Sequence, residues 1–118
     1  MPIPGTAFQV IPEGGNHFWV LISPVKNGRV LAVNITDVEH CPDSPCVLEI
    51  GDHPAITKRS VLYYRQAREF EAAKIDTLIA GGVQVRKLAD CSNAVLARMI
   101  QGAKVADDLT CRFLEYLR

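Results

Sequence analysis

One stretch of this sequence gathers side chains that could do chemistry: Cys46-Val47-Leu48-Glu49-Ile50-Gly51-Asp52-His53-Pro54. Gly51 and Pro54 would fix a tight turn and present Asp52 and His53 from a rigid loop. That suits a catalytic imidazole, because histidine titrates near neutrality and can serve as acid or base. The bland alternative is that Asp52 bonds the turn backbone and His53 is an ordinary loop residue.

His40, Cys41, Cys46 and His53 together invite a metal reading, since thiolates and imidazoles are zinc ligands. Adjacent His40 and Cys41 are awkward as joint ligands, Cys46 opens an apolar run, and a second cysteine pair is missing. No metal or other cofactor is therefore expected. A nucleophilic Cys46 paired with His53 is also conceivable, with only that histidine to lower its pKa. Buried free thiols are the expected state of Cys46, Cys91 and Cys111.

Lys58, Arg59, Arg65 and Arg68, interleaved with Tyr63 and Tyr64, have the composition of a strip that binds phosphates and stacks bases of single-stranded RNA. Solvated strand charges would read identically. Strand alternation would place 59, 63 and 65 on one face and 58, 64 and 68 on the other, which splits the patch.

The elements that must position these groups come in two blocks. Strands are expected over Thr6 to Ile11, Phe18 to Ile22, Arg29 to Ile35, Cys46 to Ile50, and Ser60 to Tyr64 with a possible continuation to Phe70. Asn27-Gly28 supplies the two positive-φ residues of a hairpin turn between the second and third. A helix is expected over Ala72 to Ile79, stopped by Gly81-Gly82, and another after a cap at Ser92 or Asn93. A third carries Leu109, Phe113, Tyr116 and Leu117 on one stripe behind Asp107 and Asp108. Strands first and helices after is an α+β order, and short strands separated by turns suggest a small barrel.

The chain has 118 residues, 48% apolar and 22% charged, which fills one core rather than two. A single domain is expected over 1–118, with a barrel over about 1–70 and helices over about 71–118. Thirteen basic side chains balance thirteen acidic ones, so no general attraction for polyanions is expected. Residues 60–118 hold nine of the basic and seven of the acidic, so any basic face would be local. No apolar run approaches a membrane span and no signal peptide is evident, so a cytoplasmic protein without membrane partners is expected.

Gly5 with the following strand, the run His17-Phe18-Trp19-Val20-Leu21-Ile22-Ser23, the strand end Val33-Asn34-Ile35-Thr36, and Lys58 to Val61 through Gln66-Ala67-Arg68 together resemble the MazF/PemK toxin family. The resemblance covers about residues 5 to 79. The Gly-Asp-His-Pro stretch looks like the mark of a divergent branch of that family. The resemblance implies a small SH3-like, PemK-like barrel with C-terminal helices, homodimerisation, an antitoxin peptide as partner, and metal-independent endoribonuclease activity on RNA.

It also implies catalytic positions. The family pairs an Arg at the start of the second strand with a Thr or Ser at the end of the third, which fall here on His17 and Thr36. Metal-free RNA cleavage uses the 2′-hydroxyl as nucleophile and needs a base, an acid and a donor to the phosphate. His17 could replace the Arg as acid or base, though without its permanent charge or bidentate grip. Asp37 could orient a base. The expected catalytic set is His53, Thr36 and His17; the expected RNA-binding set is Lys58, Arg59, Arg65 and Arg68. The alternative is a non-catalytic SH3-like barrel acting as a protein-interaction or accessory module.

Overall fold

A computed structural model of the chain describes residues 3–10, 18–82, 85–107, 109 and 111–117. The strands are β1 (Ala7–Val10), β2 (Phe18–Leu21), β3 (Arg29–Asp37), β4 (Val47–Leu48), β5 (Ser60–Glu71) and β6 (Val85–Lys87). The helices are α1 (Ala72–Gly81), α2 (Asn93–Val105) and α3 (Cys111–Leu114), with 3-10 turns at Val38–His40 and Glu115–Leu117. The α+β class expected from the sequence is the observed one.

All pairings between named strands are antiparallel, in the order β4-β5-β3-β2-β1-β6. The two ends of that order, β4 and β6, do not pair with each other, so the sheet is not closed. The reason is visible in chain order. β6 lies within the region expected to be purely helical and adds to the free side of β1, while two-residue β4 adds to β5.

Local chemistry explains most elements. Asn27 and Gly28 have φ of 54° and 76°, the paired positive values of a two-residue hairpin turn that matches strand twist. Lys26 faces Arg29 beside the turn, yet Leu21 faces Ala32 further on, so five residues on one side oppose three on the other. Ser23 mends the ladder at that irregularity: its hydroxyl accepts the Leu31 N–H at 3.0 Å and donates to the Pro24 carbonyl at 2.9 Å. α1 ends on Gly82, whose φ of 66° lets its N–H reach the Leu78 carbonyl at 3.2 Å. α2 starts on Ser92, whose hydroxyl accepts the Val95 N–H at 3.2 Å.

The sheet buries both faces. On one, Phe18, Val20, Leu31, Val33, Ile35, Leu62 and Tyr64 pack under Val95, Met99 and Ala103 of α2 and under Leu109, Phe113 and Tyr116. On the other, Phe8, Trp19, Leu21, Val30 and Ala32 pack with Ile75 of α1 and Val85. Strand alternation divides β3 cleanly between them, odd-numbered residues 31–35 to the first face and even-numbered neighbours to the second.

Candidate functional site

Thr36 is the last fully buried residue of β3, and the chain turns immediately after it into the 3-10 turn Val38–His40. That turn brings the exposed His40 back over the strand end, so its Nδ1 lies 2.7 Å from the Thr36 hydroxyl. A hydroxyl within hydrogen-bond reach of an imidazole is one arrangement that acid–base chemistry can use. Asp37, expected to orient a base, instead takes the Lys58 ammonium at 2.9 Å, and this carboxylate holds the lysine above its ordinary pKa.

The same sheet face continues from Thr36 to Asn34 and across to Trp19, the Cα partner of Asn34 on β2, and Tyr63, its partner on β5. Beyond Tyr63 the β3–β5 ladder is irregular. Tyr63 faces Asn34 and Arg68 faces Ala32, so an advance of five residues along β5 matches an advance of two along β3. This odd mismatch turns Arg68 onto the face that carries Tyr63, against the regular alternation expected from the sequence. Arg68 then places its guanidinium 5.6 Å from the Trp19 ring centroid. The edge of Phe70 meets that ring with centroids 5.6 Å apart. Gln66 accepts a hydrogen bond from Asn34 Nδ2 at 3.3 Å.

Among the described residues, two polar atoms of this patch are buried without a partner: Trp19 Nε1 and Asn34 Oδ1. Such an orphan costs roughly 1–3 kcal/mol. Their residues are only 4% and 9% exposed and sit opposite each other on adjacent strands, so one donor and one acceptor are left on one small area.

His53 belongs to the other face. It is 3% exposed and stacks on Phe18 at 5.2 Å between ring centroids, 26° from parallel. Its Nδ1 accepts the Ala55 N–H at 3.0 Å, which puts the ring proton on Nε2, 2.6 Å from the Ala89 carbonyl. Both nitrogens thus serve backbone groups. Phe18 pairs with Ile35, whose side chain points away from that of Thr36, so the sheet separates His53 from the Thr36 hydroxyl. His53 is a latch that fastens the 49–56 loop to the sheet and to the segment before α2. Asp52 takes the turn role weighed from the sequence: it accepts the Glu49 N–H at 2.8 Å and faces Arg98 at 3.2 Å, and these contacts lower its pKa. Gly51, with φ of 105°, makes the turn possible.

His17, the third expected catalytic residue, lies outside the described residues. Of the expected RNA-binding set, Lys58 pairs with Asp37, Arg59 with Glu49 at 2.8 Å, and Arg68 lies over Trp19. Arg65 is exposed on β5. Cys46 and Cys91 are buried free thiols. Burial raises the Cys46 thiol pKa beside Tyr64, and pushes that of Cys91 to about 11. His40 and Cys46 take separate neighbours, and among the described residues no three His, Cys, Asp or Glu side chains gather as metal ligands.

Two features of the site escaped the sequence reading. From the sequence His40 offers itself only as a zinc ligand, although its position four residues after Thr36, just past a strand end, is the signal for a returning turn. Asn34 was only part of an apolar strand, although an amide in such a run is itself unusual. Against protein-family models, curated proteins and solved structures, the chain finds no match. Among the described residues no helix is long and apolar enough to cross a membrane.

Proposed function

We propose that this chain is a toxin-like protein related to the MazF/PemK endoribonucleases, that its sheet is an opened variant of their SH3-like barrel, and that it cleaves single-stranded RNA without a metal. The observation that carries this reading is the Thr36–His40 pair, a hydroxyl and an imidazole 2.7 Å apart at a sheet end. In the tautomer that donates from Nδ1 to Thr36, the basic lone pair lies on Nε2 and the Thr36 O–H is left to donate to a phosphoryl oxygen.

The chemistry then follows. His40 Nε2 takes the 2′-hydroxyl proton, the 2′-oxygen attacks the adjacent phosphorus, and the bond to the 5′-oxygen breaks. The proton passes from His40 to that leaving oxygen, giving a 2′,3′-cyclic phosphate and a 5′-hydroxyl. Thr36 stabilises the charge on the phosphoryl oxygen. Arg65, Arg68 and Lys58 supply positive charge for flanking phosphates, and Tyr63 a surface for stacking. In this reading the imidazole is that of His40 rather than His53. A homodimer and an antitoxin peptide that covers the same face belong to the proposal.

The test is cleavage of mixed-sequence single-stranded RNA by purified protein in excess chelator, with product ends mapped. Cyclic-phosphate ends that disappear in His40→Ala support the reading. An inert wild-type protein that binds no RNA refutes it and leaves the non-catalytic interaction module.

A further inference from the structure

The Trp19–Asn34 patch has a feature that cleavage chemistry does not use. Trp19 Nε1 is a donor only and Asn34 Oδ1, a carbonyl oxygen, an acceptor only, while the Asn34 amide nitrogen donates one hydrogen bond to Gln66. A strand pair that merely filled a core would place apolar side chains at these two positions at no such cost. Both atoms are covered. Among the described residues, exposed side chains that touch their residues include Arg68, over the Trp19 ring, and Gln66, bonded to Asn34. Gln66 lies in the stretch of β5 where the ladder with β3 is interrupted, and Arg68 is the residue at which it resumes. Long side chains at the surface change rotamer on a faster timescale than backbone moves, so Arg68 and Gln66 can shift without disturbing the sheet.

We propose that Trp19 Nε1 and Asn34 Oδ1 form a niche that reads a nucleobase, opened when Arg68 and Gln66 swing aside. The Watson–Crick edge of a base presents an acceptor next to a donor, the complement of this pair. The Arg68 guanidinium, already lying over one aromatic ring, then stacks on the base plane. The niche lies on the Thr36 side of the sheet, beside the next even-numbered position of β3. It therefore holds a base near the phosphodiester that Thr36 and His40 would act on. This inference rests on the RNA reading above and names the part of the substrate that the patch recognises.

The chain has a single tryptophan, so emission from Trp19 reports on the niche directly. The experiment titrates the His40→Ala protein, which binds without cutting, with a ten-nucleotide mixed-sequence RNA and with an abasic ribose-phosphate chain of the same length. The RNA is expected to change Trp19 emission saturably, and the abasic chain to bind at least tenfold more weakly. Introducing Asn34→Leu removes the orphan acceptor, so it is expected to raise the melting temperature by a few degrees while weakening RNA binding at least tenfold. Gln66→Ala, at an exposed position, keeps the fold and is expected to tighten RNA binding several-fold with the abasic chain unaffected.

Equal affinity for the two chains overturns the niche. So does RNA binding unchanged in both Asn34→Leu and Gln66→Ala, or a lower melting temperature in Asn34→Leu, which marks a site for structural water only. If wild-type protein cleaves RNA while these variants bind and cleave as it does, the niche fails and the ribonuclease reading stands. If it cleaves nothing while base-dependent binding persists, the cleavage reading fails and the niche stands.

Discussion

The His53 ring lies flat on Phe18, 5.2 Å between centroids, and gives both its nitrogens to backbone groups of Ala55 and Ala89. That contact fastens the Gly-Asp-His-Pro loop to the sheet. Its consequences are for stability. His53→Ala removes a buried ring and leaves the Ala55 N–H and the Ala89 carbonyl without their partner, a loss of roughly 2–4 kcal/mol. Chemical denaturation should show that loss, while any cleavage activity normalised to folded protein stays within about twofold of wild type. A catalytic His53 would instead lose activity by about 100-fold or more in the folded fraction.

A second prediction concerns how closely α2 lies on the sheet. Gly102 faces Tyr64 and Cys46 so tightly that a Cβ at this position would overlap the Tyr64 hydroxyl and come within 3.0 Å of Cys46 Cβ. Tyr64 cannot retreat at low cost, because its hydroxyl donates to the Met99 carbonyl at 2.6 Å from a buried position. Alanine in place of glycine gains about 1 kcal/mol of helix propensity, yet overpacking costs typically 1–3 kcal/mol and here also strains a buried hydrogen bond. Gly102→Ala should therefore melt below wild type. A higher melting point would mean that α2 can move away from the sheet freely.

These contacts separate what was legible in the sequence from what was not. The Asn27-Gly28 turn and the Ser92 cap were legible, because a positive φ or an orphan N–H is satisfied by the residues that announce it. β6 was not, since three residues, Val85 to Lys87, become a strand only by pairing with β1, some 75 positions earlier in the chain (Val10 with Val85). Nor was the face of Arg68, which depends on a ladder irregularity that no alternation rule encodes. Within the site, Thr36 was named from a resemblance, whereas its partner His40 depends on how a turn returns, a matter of backbone geometry. The open order of the sheet has the same origin: local patterns give strands, and long-range pairing decides whether their ends meet.

The third prediction is about pH. The Glu49 N–H and the Arg98 guanidinium favour the ionised form of Asp52, so its folded-state pKa lies below the ordinary carboxylate value. A depressed carboxylate contributes stability above its unfolded pKa, near 3.9, and that contribution is lost as pH falls through the folded value. Asp52→Asn should melt a few degrees below wild type at pH 7. The gap should begin to narrow as the pH drops below about 4 and should close only once the pH lies below the depressed folded value, where both proteins lack the charge. A gap that stays constant down to pH 2 would trace the effect to shape rather than ionisation.

The last prediction asks whether Thr36 and His40 act together. If the hydroxyl and the imidazole form one device, removing either disables it, and removing both does little further harm. Thr36→Val keeps the shape of a buried strand residue and deletes only the hydroxyl; His40→Ala deletes an exposed ring, so neither change threatens the core. Each single variant is expected to lose roughly 100-fold in RNA cleavage rate, and the double variant to lose about as much as one of them rather than the product of both. Thr36→Ser, which restores the hydroxyl in the same strand position, is expected to recover most of the rate. Losses that multiply in the double variant would mean that the two groups act at separate steps, and the 2.7 Å contact would then be a strand-end cap with no share in the chemistry.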